Sequence, residues 1–217
     1  MKVTDKDFDW SSTSDWFRRT AAAETIDRLY EKIFSVNEGD TVVDLGASVG
    51  VFISSILDKG FSKCYAVEPL KAHHTAIKNN TDERIEIVHG AISEETEVKI
   101  DWDGLTDTVP GFTLPALISH IGVDRIDFLK TDCEGGEYVI FKQENIDWLK
   151  NHCRYCVGEW HLSTPELKQK FRTVRDEIFP LLKRVDVYSV DGYSINWNLY
   201  TEQFLNYYTE VIIHIEI

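Results

Sequence analysis

The sequence predicts an α/β fold: a Rossmann-like, doubly wound, mostly parallel sheet with helices on both faces and an antiparallel C-terminal edge. Three observations predict it. Short apolar runs alternate with helical stretches from residue 41 onward. Several of these runs, such as Val42-Val43 and Phe128-Leu129, are apolar at successive positions, as strands buried on both faces are. The last strand-like runs have no helical stretch between them, which predicts antiparallel pairing.

The elements follow in order. A lead-in over residues 1–20 is punctuated by Ser11-Ser12-Thr13-Ser14, and its Trp10, Trp16 and Phe17 are candidates for a lid. Residues 21–217 read as one domain. From Ala21 to Phe34, Ile26, Leu29, Tyr30, Ile33 and Phe34 recur at helical spacing, which predicts an amphipathic helix. Strands are expected at Thr41–Leu45, Cys64–Val67, Ile85–His89, Ile126–Thr131 and Tyr155–Trp160. Helices are expected at Val49–Leu57, Ala72–Asn79, Leu114–Ile121, Glu134–Phe141 and Pro165–Leu182. The alternation implies right-handed βαβ units. The period-two pattern of Glu97–Gly104 predicts a small hairpin, and Arg184–Val190, Ile195–Tyr200 and Glu210–Ile217 the antiparallel edge.

Composition narrows the function classes. With 217 residues and 43% hydrophobic content, the chain has material for a sizeable core. A formal net charge of −14 repels phosphate backbones and anionic lipid, so neither nucleic acid nor a membrane is expected as partner. Four cysteines make no disulfide scaffold, and the N-terminus carries no apolar signal run, so a cytoplasmic setting is expected. Cys153-Arg154-Tyr155-Cys156 is a lone CxxC whose thiols would face opposite sides of a strand, and it predicts no metal or redox role. No feature of the sequence fixes an oligomeric state.

The first strand ends in Asp44-Leu45-Gly46-Ala47-Ser48-Val49-Gly50 and runs directly into a helix. A glycine turn there brings a ligand close to free N–H groups. Ser48 stands where a dinucleotide fingerprint needs its second glycine, and Asp44 suits an ammonium group better than a pyrophosphate. Glu68, at the tip of the second strand in Val67-Glu68-Pro69, is placed to accept hydrogen bonds from ribose hydroxyls. S-adenosylmethionine offers both a cationic amino acid and a ribose, and is the expected cofactor. The expected cofactor residues are Asp44, Gly46, Ala47, Ser48, Gly50, Glu68, Pro69, Ala91 at the third strand tip, and Asp132 at the fourth. The bland alternative is a tight turn with Glu68 capping the next helix.

These motifs, with Ile126-Asp127-Phe128-Leu129-Lys130-Thr131-Asp132-Cys133-Glu134-Gly135-Gly136-Glu137, resemble the FkbM family of S-adenosylmethionine-dependent methyltransferases over roughly Asp40 to Leu162. The resemblance implies methyl transfer to a hydroxyl, usually on a sugar or a secondary metabolite. Where family members commonly carry Thr-Leu-Asp-Asp, this chain has Thr113-Leu114-Pro115-Ala116.

Four residues are expected in catalysis. Asp132 lies at the tip of the fourth strand, on one face with Lys130, which is expected to pair with a carboxylate. Glu134 follows in the first turn of the next helix. Glu159 and His161 share the ligand end of the fifth strand, where an imidazole beside a carboxylate suits a general base. Glu137 is read as complementing the helix dipole. Asp132, Glu134, Glu159 and His161 could together hold a divalent cation, although the primary reading uses no metal. The aromatic run from Tyr188 to Tyr208 is read as strand-face core. The acceptor that the resemblance implies is a hydroxyl of a small molecule or glycan. The rival readings are a nicotinamide-dependent sugar oxidoreductase or epimerase, and an inactive cofactor-binding protein.

Overall fold

The computed structural model describes residues 7–26 and 29–217. Its aliphatic runs form strands β1 (Thr41–Leu45), β2 (Lys63–Val67), β3 (Ile85–Val88), β4 (Ala91–Ile92), β5 (Glu97–Trp102), β6 (Leu105–Phe112), β7 (Ile126–Thr131), β8 (Cys153–His161), β9 (Arg184–Tyr188) and β10 (Glu210–Glu216). The helices are α1 (Asp15–Ile26), α2 (Val51–Ile56), α3 (Lys71–Asn80), α4 (Leu114–Ile121), α5 (Glu137–Ile140), α6 (Ile146–His152), α7 (Pro165–Thr173) and α8 (Glu202–Tyr207). Seven strands join in the order β3-β2-β1-β7-β8-β10-β9. Pairing is parallel from β3 to β8 and antiparallel from β8 through β10 to β9.

The chain first builds outward from β1 and then returns to place β7 on its other side. The strand order therefore reverses between β1 and β7, and a crevice opens beyond their C-terminal ends. Backbone bonds fix the register of the tips there: Asp132 N–H donates to Leu45 C=O at 3.0 Å, and Gly46 N–H to Val67 C=O at 3.0 Å. Two apolar layers sandwich the sheet. One face packs Leu117, Phe141 and Trp160 with Val43 and Leu129, and the other packs Phe34, Phe52 and Ile53 with Val42 and Phe128.

Several elements depart from expectation, each for a local reason. The first helix spans Asp15–Ile26 instead of Ala21–Phe34, because the Ser14 hydroxyl accepts the Phe17 N–H at 3.1 Å and starts it early. Positions 27 and 28 of that expected helix lie outside the described residues. Leu29–Glu31 then forms a 3-10 turn against β8 and β10, with Leu29 and Tyr30 buried. The hairpin is longer than predicted: Asp103 and Gly104, at φ 48° and 78°, make the two-residue turn that joins β5 to the eight-residue β6. The expected helix from Glu134 is delayed to Glu137 by a turn with Glu134 at φ 53° and Gly135 at φ 102°. The long helix after Pro165 gives way to a π-helical turn over Val174–Ile178.

In the C-terminal part, Ile195–Tyr200 holds a 3-10 turn in place of a strand, and α8 intervenes before β10. The Thr201 hydroxyl caps α8 by accepting the Phe204 N–H at 3.2 Å. Tyr188 and Phe204 are core residues, but Tyr193, Trp197, Tyr200 and Tyr207 are exposed, which corrects their reading as strand-face core.

The lead-in is tied to the crevice. The buried Asn80 amide donates to Asp9 C=O and to Val49 C=O, both at 2.9 Å, and its oxygen accepts the Asp9 N–H at 2.7 Å. Phe17 packs edge-on against Trp102 with ring centroids 5.0 Å apart. All four cysteines are free. Among the described residues, no helix is long and apolar enough to cross a membrane.

Candidate active site

A cavity of about 1020 Å³ lies beyond the strand tips. It holds Gly46, Ala47 and Ser48 from the β1–α2 turn, Glu68 and Pro69 after β2, Ala91 in β4, and Asp132, Glu134, Glu159 and His161 from β7 and β8. Trp16, Phe17 and Trp102 also face it.

The β1–α2 turn is held open by its geometry. Gly46 has φ 80°, and a Cβ built there would sit 1.8 Å from the Asp132 carbonyl oxygen, so only a bare backbone passes between β1 and β7. Ser48 adopts φ 48°, a left-handed conformation uncommon for a side chain. Glu68 secures it: one carboxylate oxygen accepts the Ser48 N–H at 2.7 Å. The other accepts the Leu70 N–H at 2.8 Å and lies 3.1 Å from His73 Nδ1. A carboxylate has about four acceptor positions, so three protein contacts leave capacity for a ligand hydroxyl. The Ser48 hydroxyl is buried with no protein hydrogen-bond partner, a polar group left for a ligand. Gly50, at φ 84°, caps α2 behind the cavity wall.

Asp44 does not reach the cavity. It is wholly buried, and its carboxylate pairs with Lys130 Nζ at 3.1 Å. Parallel register sets Asp44 beside Lys130 on the neighbouring strand, so the two side chains meet across β1 and β7. The Lys130 ammonium also donates to Gly46 C=O at 3.0 Å and lies 3.6 Å from Asp132 Oδ2. Burial raises the Asp44 pKa, and Lys130 only partly offsets this. Burial alone would lower the Lys130 pKa, but Asp44 and Asp132 prevail and hold it above its ordinary value. The expected pairing of Lys130 with a carboxylate is thus present, and Asp44, expected at the cofactor, lies behind the cavity lining in that pair.

At the other end, acids converge on one imidazole. His161 is 6% exposed, with Nδ1 3.1 Å from Glu137 Oε1. Its Nε2 faces Glu134 Oε2 at 3.5 Å, Glu159 Oε1 at 3.6 Å and Asp132 Oδ1 at 4.0 Å. Burial opposes a charge on this ring, but the Glu137 bond and the fields of Glu137, Asp132 and Glu134 outweigh it and push the pKa up to about 10. The unmodified imidazole that suits a general base is therefore not the form this setting favours.

Two residues escaped the sequence reading. Glu137 is fully buried; besides holding His161, it accepts the Cys133 N–H at 3.0 Å, so it orients the site and is more than a helix-dipole acid. Its signal was an acid one strand-to-helix turn past Asp132, beyond two glycines. Tyr30 read only as an apolar helix position, yet its hydroxyl donates to Asp132 Oδ2 at 3.2 Å.

The model for the methyltransferase FkbM domain matches residues 44–188. No curated protein matches the sequence. Among solved structures, the chain is similar to a precorrin-6Y C5,15-methyltransferase from Geobacter metallireducens, at 13% identity and TM-score 0.54, with 100% of each chain covered. It is also similar to a TehB-like S-adenosylmethionine-dependent methyltransferase from Corynebacterium glutamicum, at 10% identity and TM-score 0.52, covering 93% of this chain and 94% of that one. A third is Aeropyrum pernix fibrillarin with natively bound S-adenosylmethionine, at 16% identity and TM-score 0.50, covering 89% and 73%. The structures share the fold, and the family match spans the glycine turn, Glu68 and the acid–imidazole cluster: the chain belongs to the FkbM family of methyltransferases, with S-adenosylmethionine as its cofactor.

Proposed function

We propose that the protein methylates a hydroxyl of a neutral small molecule or glycan. One observation carries this reading: the cavity has a cofactor cradle at one end and, at the other, carboxylates of Asp132, Glu134 and Glu159 gathered around His161. Nine acidic side chains line the cavity against three lysines, which disfavours a polyanionic acceptor such as RNA.

S-adenosylmethionine supplies an electrophilic methyl on a sulfonium. Gly46, Ala47 and Ser48 would hold it through their backbone and the Ser48 hydroxyl, Glu68 and Pro69 would take its ribose, and Ala91 would lie on the side of its adenine. Asp132 is the residue common to both halves. Its carboxylate is held by Tyr30 and Lys130 and remains partly open to the cavity, so it is placed to take the hydroxyl proton as oxygen attacks carbon. His161 and Glu137 position that carboxylate and its neighbours. Trp16 and Phe17 line the cavity, which supports a role for the lead-in in covering it and keeping water out.

Transfer of labelled methyl from S-adenosylmethionine onto a panel of hydroxylated glycans and metabolites tests the reading. Substitution of His161→Ala is expected to lower turnover by about 10²-fold or more, while S-adenosylhomocysteine affinity stays within about twofold by calorimetry. Undiminished turnover in that variant, or label found only on amines or nucleic acid, contradicts it.

A further inference from the structure

Asp132, Glu159 and His161 each present a ligand atom, and these atoms lie within 4.8 Å of one another. The separations from His161 Nε2, 3.6 Å to Glu159 and 4.0 Å to Asp132, are too long for hydrogen bonds. They suit atoms arranged around one ion, since bonds of about 2.1 Å put neighbouring ligands roughly 3 Å apart and opposite ones roughly 4.2 Å apart.

A second observation points the same way. His161 is more than nine-tenths buried and aims Nε2 into this gap, with no hydrogen bond to it among the described residues. Its other nitrogen is held by Glu137, itself fully buried. A carboxylate on the far nitrogen is the arrangement that orients a metal-binding imidazole and fixes its lone pair toward the ion. Four carboxylates, of Asp132, Glu134, Glu137 and Glu159, also surround a single ring, an excess of negative charge that a divalent cation offsets.

We propose that Asp132, Glu159 and His161 bind one divalent cation of the magnesium or manganese class at the acceptor end of the cavity. Two carboxylates and one imidazole, without a thiolate, form a hard donor set, and three protein ligands leave positions open. Those positions fit two adjacent oxygens of the acceptor, as in a vicinal diol or a hydroxy-carbonyl group. The cation takes the place of the Nε2 proton, orients the acceptor and acidifies the hydroxyl that reacts, whose proton then goes to Glu134, the neighbouring carboxylate outside the ligand set. This last role rests on the hydroxyl-transfer reading; binding of the ion does not.

Manganese binding to the full chain, after treatment with chelator, tests the site by loss of the free-ion paramagnetic resonance signal. The expected result is one saturable manganese per chain, competed by magnesium, and weakened at least tenfold in Glu159→Gln and in Asp132→Asn. The exposed-acid variant Glu166→Gln should bind as the parent does, and thermal melts should show each variant folded. Absence of saturable binding at millimolar manganese, or binding unchanged in both site variants, overturns the proposal. S-adenosylhomocysteine affinity, measured on the same samples, reports separately on the cofactor reading.

Discussion

Replacing Gly46 by alanine is expected to disrupt the cofactor cradle more than any other single-methyl change. Two costs add at that position. A left-handed φ of 80° costs a residue with a Cβ about 1–2 kcal/mol, and a Cβ 1.8 Å from the Asp132 carbonyl cannot be accommodated without separating β1 from β7. Overpacking of this kind costs typically about 1–3 kcal/mol. The neighbour is backbone and cannot rotate away. Gly39 supplies the control, because it has the same φ of 80° but nothing within 4 Å of the built Cβ. Gly39→Ala should therefore show the conformational cost alone, a fall in Tm of a few degrees for a chain of this size. Gly46→Ala should fall further and lose S-adenosylhomocysteine affinity by about 100-fold. Equal melts and equal affinities in the two variants would show that the close approach of the strand tips is not needed.

The second large effect is expected at Lys130. Its ammonium is almost completely buried and serves Asp44, Asp132 and the Gly46 carbonyl together. Lys130→Met leaves the Asp44 carboxylate buried without its counter-charge, and removing one partner of such a pair costs about 3–5 kcal/mol. The penalty belongs to the stranded charge more than to the lost contact. Asp44→Asn in the same chain should thus recover at least half of the stability, a non-additivity read from a double-mutant cycle by chemical denaturation. A Lys130→Met variant within 1 kcal/mol of the parent, or a double variant as unstable as the single, would remove the pair from the foundation of the site.

Much of the fold was legible because the parallel strands are buried on both faces, which shows as adjacent apolar residues such as Val42-Val43 in Thr41–Leu45 and Phe128-Leu129 in Ile126–Thr131. What escaped was decided by single polar atoms or by distant partners. The Ser14 and Thr201 hydroxyls start α1 and α8 where apolar periodicity gives no sign. Tyr30 recurs at helical spacing like a core residue, and its hydroxyl meets Asp132 because the 3-10 turn brings its ring under Lys130 of β7.

The site divides in the same way. Glu68, Gly46 and Asp132 were placed by strand-tip logic, which depends only on local order and the sheet rule. The partner of Asp44 was not, since a strand-tip acid can face the ligand or the adjacent strand, and the choice turns on Lys130, 86 positions away. The convergence of Glu134, Glu137 and Glu159 on His161 likewise arises where the turn after β7 and the first residue of α5 meet the C-terminal end of β8. Sequence spacing indicates which chemistry is available there, and the three-dimensional arrangement assigns each acid its task.

We propose that the turn from Gly46 to Ser48, closed by Glu68, is what holds S-adenosylmethionine. Calorimetric titration of S-adenosylhomocysteine into the parent and into Glu68→Ala tests it most directly, with NAD titrated in parallel. Micromolar binding to the parent, at least about tenfold weaker in Glu68→Ala, and no response to NAD are the predicted results. Binding of NAD in place of S-adenosylhomocysteine, or an affinity indifferent to the loss of Glu68, would contradict the account.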